Sequence, residues 1–79
     1  MTIPNDEIDT LLTGMIEQQQ VRVLAIARER LPGVTPEDLR NPQDFPELEA
    51  DSRFNFEDGQ LSGLLSARMA IRQRRMRRA

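Results

Sequence analysis

Two helix-start signals of the same form stand six residues apart near the middle of this chain: Thr35-Pro36-Glu37-Asp38-Leu39 and Asn41-Pro42-Gln43-Asp44-Phe45. Each reads as a cap residue, a proline at the first helical position and an acid at the third, roughly as in a capping box. Each has room for about one helical turn and presents one apolar residue, Leu39 or Phe45. The long elements must therefore lie on either side of this segment, and the chain divides into two halves with a turn-rich connector between them.

The first half predicts one helix over about 5–31. Asn5 is its expected N-cap, and Asp6, Glu7 and Asp9 suit the positive end of the helix dipole. Ile8, Leu11, Leu12, Met15, Ile16, Val23, Ile26 and Ala27 recur at helical spacing on one face. Pro32-Gly33 ends the helix. Val21, Leu24 and Leu31 lie off the stripe, so the second half of this helix should be covered by something else. The connector, 32–55, is the expected cover. It carries Val34, Leu39, Phe45, Leu48 and Phe54, with Phe56 just beyond, so all three phenylalanines fall at or beside it. A structureless loop of that length would be unusual inside a compact domain.

Asn55-Phe56-Glu57-Asp58 repeats the cap signal and predicts a second long helix over about 56–76. Leu61, Leu64, Leu65, Met69, Ile71 and Met76 form its apolar arc. Gly59, Gly63, Ser66, Ala67 and Ala70 form a small opposite side, which predicts either a helix packed on two sides or a close dimer contact. The expected fold is all-α: residues 1–79 as one domain, an antiparallel hairpin of two long helices with short helical turns between them and an arginine-rich end at 72–79. A chain of 79 residues without cysteine has little core and no disulfide to stabilise it. Dimerisation into a four-helix bundle would bury the remaining apolar surface. The layout resembles the small helical-hairpin regulators that pair into four-helix bundles. That likeness is one of architecture and carries no residues over.

The charge is unevenly laid out. All 11 basic residues are arginine, and the net charge is −2. Six arginines lie in 68–79 with no acid among them, so residues 1–67 hold five arginines against 13 acids, a net of −8. Arg72, Arg74, Arg75, Arg77 and Arg78 are thus candidate contacts for an anion or nucleic acid through phosphate neutralisation. The competing reading pairs them with the helix dipole and with Asp6, Glu7 and Asp9, which an antiparallel hairpin brings alongside. No aromatic residue stands beside them to stack on a base.

Arg68 and Arg72 point into the apolar arc of the second helix, and Gln19 sits mid-stripe on the first. Polar groups in a bundle seam fix register and partner choice, which points to a buried contact of these arginines with glutamine or a carboxylate, Glu17 or Glu29, across a dimer seam, or to a site for an acidic ligand or partner peptide. Arginine stems covering apolar surface is the simpler alternative. The candidate interface is Leu12, Met15, Ile16, Gln19, Val23, Leu61, Gly63, Leu65, Arg68 and Arg72.

Chemistry finds little purchase. There is no histidine or cysteine to bind zinc or to act as base or nucleophile, and no base stands near Ser52, Ser62 or Ser66. The acids from Asp51 to Asp58 lack the spacing of a calcium loop, with phenylalanines interleaved. No phosphate-binding glycine loop and no run of apolar residues long enough to span a membrane occurs. The sequence reading is a non-enzymatic, cytoplasmic protein-interaction module without metal or cofactor, a homodimeric adaptor or regulatory subunit that recognises another protein. The alternative is a nucleic-acid-binding accessory protein acting through its arginine cluster.

Overall fold

The computed structural model describes residues 3–77, with the side chain of Arg77 left undescribed. Among them there are helices and turns and no strand. Helix α1 runs Asn5–Arg30. The connector holds two 3-10 turns, Asp38–Arg40 and Pro42–Asp44, and a single helical turn, α2, Pro46–Glu49. Helix α3 runs Ser52–Arg77. The long helices are antiparallel. Asp9 meets Arg72, Thr13 meets Arg68, Asp6 meets Arg75 and Arg30 meets Asp51, and in each pair the residue numbers sum to 81. The molecule is an elongated hairpin of 44 × 20 × 19 Å.

The helix ends show which local signals the fold used. Asn5 is not the cap of α1. It is already helical, and the carbonyl of Pro4 accepts from the amides of Glu7 and Ile8 at 3.1 Å each, with no capping side chain. Pro4 has the extended backbone of a cap position (φ −58°, ψ 145°) and fixes the start. At the other end Leu31 leaves the helix (φ −133°, ψ 84°) because the residue before a proline is driven out of the helical region. Gly33 has no positive φ, so Pro32 alone ends the helix.

The Thr35 box forms as expected. The Thr35 amide donates to Asp38 Oδ2 at 2.9 Å, and the Asp38 amide donates to Thr35 Oγ1 at 3.3 Å. Asn41 departs from the expectation: its side chain caps no amide and accepts from Gln43 Nε2 instead. The third signal is also displaced. Helix α3 begins one turn before Asn55, because Asp51 is the cap. Asp51 Oδ1 accepts the Phe54 amide at 3.0 Å, and the Asp51 carbonyl accepts the Asn55 amide at 3.0 Å. Asn55 instead ties the new helix back to the connector, donating to the Glu49 carbonyl at 2.9 Å.

This displacement sets the core. Phe54 is fully buried with Val23, Ala27, Val34 and Leu48, and Leu24, Leu31, Leu39, Phe45 and Leu61 pack around them. The connector does cover the wide apolar half of α1, as its prolines and apolar residues suggest. Arg28 Nε fastens it by donating to the Val34 carbonyl at 3.1 Å. Two expected members are missing. Phe56 faces solvent because, at about 100° per residue, it lies roughly 200° round α3 from Phe54. Val21 is also exposed, because the connector crosses over Leu24 and Leu31 rather than over it.

The open half of the hairpin has a thin apolar seam. Ile16 is its one buried hydrophobic residue among those described, with Leu12, Leu64 and Leu65 half-buried. Polar contacts do much of the closing there.

Candidate interaction surface

A ladder of polar contacts runs along the seam. Gln19 Nε2 donates to the Glu57 carbonyl at 2.9 Å and to Glu57 Oε2 at 3.0 Å. Arg22 adds an ion pair to the same carboxylate at 3.5 Å. Glu57 is the one buried charged residue among those described, and no buried side-chain polar atom among them lacks a partner. Beyond it, Arg68 donates to Thr13 Oγ1 at 3.2 Å. Arg72 grips Asp9 with two hydrogen bonds, 2.6 Å from Nε and 2.9 Å from a terminal nitrogen. Arg75 reaches Asp6 at 3.3 Å.

Arg68 and Arg72 therefore do enter the seam, but their partners are Thr13 and Asp9. Glu29 pairs with Arg53 instead, and Glu17 is exposed. Within one chain the antiparallel register supplies the partners of these arginines from the N-terminal half of α1. The arginine cluster is correspondingly reduced as an anion site. Arg72 and Arg75 are bound to carboxylates, Arg74 is exposed, and the side chain of Arg77 and all of Arg78 lie outside the described residues.

Three carboxyl groups are perturbed. The hydrogen bonds from Arg72 hold Asp9 below the usual carboxylate range and raise Arg72 in turn. The Phe54 amide, then Arg30, lowers Asp51. Burial alone raises Asp58. The signs give a two-part pH response. Asp58 binds its proton more tightly when folded, so stability rises as pH falls through its raised value towards the ordinary 3.8. Asp9 and Asp51 bind theirs less tightly when folded, so their contribution is present above 3.8 and is lost as pH falls through their lowered values. Thermal melts from pH 7 to pH 2 are expected to pass through a shallow maximum on the acid side. Asp58→Asn should raise the melting temperature at pH 7 and flatten that rise. An unchanged profile in the variant would show that burial of Asp58 has no energetic consequence.

The hairpin's two broad sides differ. The connector lies over one at the closed end. The other is bare along its length and carries an open groove between the helices. Met15, Gln18, Gln19 and Arg22 form one wall, and Gln60, Gly63 and Leu64 form the other. A second hollow continues it towards the connector past Val21, Ala25 and Ile26. Leu11 (65% exposed), Met15 (44%), Val21 (70%) and Phe56 (64%) stand on or beside this face. Gly63 lines this groove, and a Cβ added at Gly59 or Gly63 of α3 would meet nothing within 4 Å, so among the described residues nothing packs on the glycines of the helix.

The ten candidate interface residues are thus divided. Ile16 and Val23 are buried inside the hairpin. Leu12, Gln19, Leu61, Leu65 and Arg68 are half-buried between the helices, and Arg72 is tied to Asp9. Met15 and Gly63 lie open on the bare face. Leu11, Val21 and Phe56 were not among the candidates. The signal for Leu11 was available: the apolar arc from Leu11 to Ala27 spans about 160°, wider than one partner helix covers. Part of that arc had to face outward.

Among the described residues no group of three or more acids is placed to hold a metal ion, and no helix is long and apolar enough to cross a membrane. The fold defines an all-α two-helix hairpin. Comparison with family models, with curated proteins and with solved structures found no match to the chain.

Proposed function

We propose that this hairpin is a non-enzymatic protein-interaction module, a small homodimeric adaptor or regulatory subunit. The observation that carries the reading is the bare face. Four large apolar side chains are exposed on or beside a groove, on a chain whose main core cluster lies at the closed end. Apolar surface of this kind marks an interaction site. Pairing through it leaves Met69 and Met76 exposed on α3 for a further protein partner, and methionine adapts its shape to varied apolar surfaces.

Sedimentation equilibrium tests the self-association. The expected mass is twice 9.1 kDa at micromolar concentration. The double substitution Met15→Glu, Phe56→Glu should return the 9.1 kDa monomer with its helix content kept. A wild-type chain that stays monomeric up to millimolar concentration overturns the reading. So does tight binding of labelled RNA or DNA that falls with salt at a log–log slope of about −3 or steeper, because several phosphates are then being neutralised.

A further inference from the structure

Resting on that dimer reading, we infer that the second copy docks on the bare face in the opposite direction, with the arginine-rich open end of each hairpin at the level of the acidic closed end of the other. The dimensions of the face allow it. Its outline, from the 44 and 20 Å dimensions of the molecule, is roughly 880 Å², against the ~800 Å² per partner that a stable interface buries.

Symmetry leaves two arrangements. A two-fold axis relating identical faces must lie in the plane between them. An axis along the hairpin sets like ends together. An axis across it sets unlike ends together. Charge selects between them. The closed end, residues 28–53, holds seven acids against Arg28, Arg30, Arg40 and Arg53, a net of −3. The open end joins Arg68, Arg72, Arg74, Arg75 and Arg77 of α3 to Asp6, Glu7 and Asp9, a net of +2. The ion pairs within each hairpin do not cancel this separation. Like ends together repel at both extremities, and unlike ends attract at both.

The side chains agree with an axis across the middle. Gln18 and Gly63 lie at one level near the midpoints of α1 and α3, on opposite walls of the groove. An axis crossing there stacks α1 on α1 and α3 on α3. The register then sets Leu11 of one copy over Ala25 of the other, Met15 over Val21, and Phe56 over Ala70. The exposed large residues meet small or apolar ones, and the two Gly63 backbones approach each other. The one like-charge encounter is Glu7 over Glu29, whose charge Arg53 already holds.

The chain has no cysteine, so a single introduced thiol reports one position. A spin label at Glu7→Cys lies about 11 residues from the axis. At about 1.5 Å per residue, the two labels of an opposed dimer stand about 33 Å apart or more. In the like-ended dimer they stand under about 20 Å apart. Gln18→Cys should form an intermolecular disulfide under mild oxidation, and dimer dissociation should rise several-fold between low and high salt. A short Glu7 distance, or association that strengthens with salt, overturns the orientation and leaves the homodimer standing. A long Glu7 distance with no Gln18 crosslink overturns the choice of face. Monomeric mass with no dipolar coupling from the Glu7 label and no Gln18 crosslink overturns the dimer reading itself.

Discussion

Phe54→Ala is expected to unfold most of the chain at room temperature. Phe54 is the largest fully buried side chain, and it joins both helices to Val34 and Leu48 of the connector. Removing a buried phenylalanine ring costs about 3–5 kcal/mol in lost transfer and residual cavity. A single-core domain of this size has a margin of only about 3–5 kcal/mol. Circular dichroism melts at a concentration that keeps the chain monomeric would show it. Phe54→Leu should retain a cooperative transition, since it keeps most of the apolar volume. Phe56→Ala, two residues away, should change monomer stability by no more than about 0.5 kcal/mol, because the ring is in solvent. If the two alanine variants melt alike, the assignment of the core is wrong.

The second large effect concerns Gln19 and Glu57. Glu57→Ala strips the Gln19 amide of its carboxylate partner and Arg22 of its ion pair, while the carbonyl at position 57 still accepts from Gln19. The expected loss is about 1–3 kcal/mol, the range for disturbing a buried hydrogen bond. Gln19→Leu alone should cost a similar amount, because the buried carboxylate then loses its nearest donor. Gln19→Leu with Glu57→Leu removes both polar groups and fills the seam with apolar atoms. That pair should recover most of the loss or exceed the wild type. A double-mutant cycle in denaturant measures the coupling. Additive losses would mean the two side chains do not sense each other.

The particular residues show how far sequence reasoning reached. Pro32 and the Thr35–Asp38 box mark the end of one helix and the start of the connector by local sterics and a three-residue hydrogen-bond loop, and both were legible. The pairing of late arginines with early acids was legible as well, since any antiparallel hairpin brings the two ends together. The start of α3 was not. Asp51-Ser52-Arg53-Phe54 and Asn55-Phe56-Glu57-Asp58 carry equivalent cap signals. The earlier one prevails because it brings Asp51 within 2.9 Å of Arg30 and places Phe54 in the core, gains that depend on where α1 lies.

The candidate surface was half legible for the same reason. An apolar arc of about 160° on α1 implied more than one neighbour. Which part turned inward depended on the approach of α3 and on the path of the connector. That choice buried Ile16 and Val23 and left Leu11, Met15 and Val21 open.

By itself the amino-acid sequence determined two long helices, their antiparallel return, a turn-rich cover and a chain with opposite charge at its two ends. These rest on proline geometry, apolar period and composition, all of which act within a few residues or on whole segments. Only the tertiary structure decided which phenylalanine forms the core, which carboxylate each arginine holds and which face stays bare. Those outcomes turn on the rotation and register of one helix against another, where a shift of a single residue moves every side chain by about 100°.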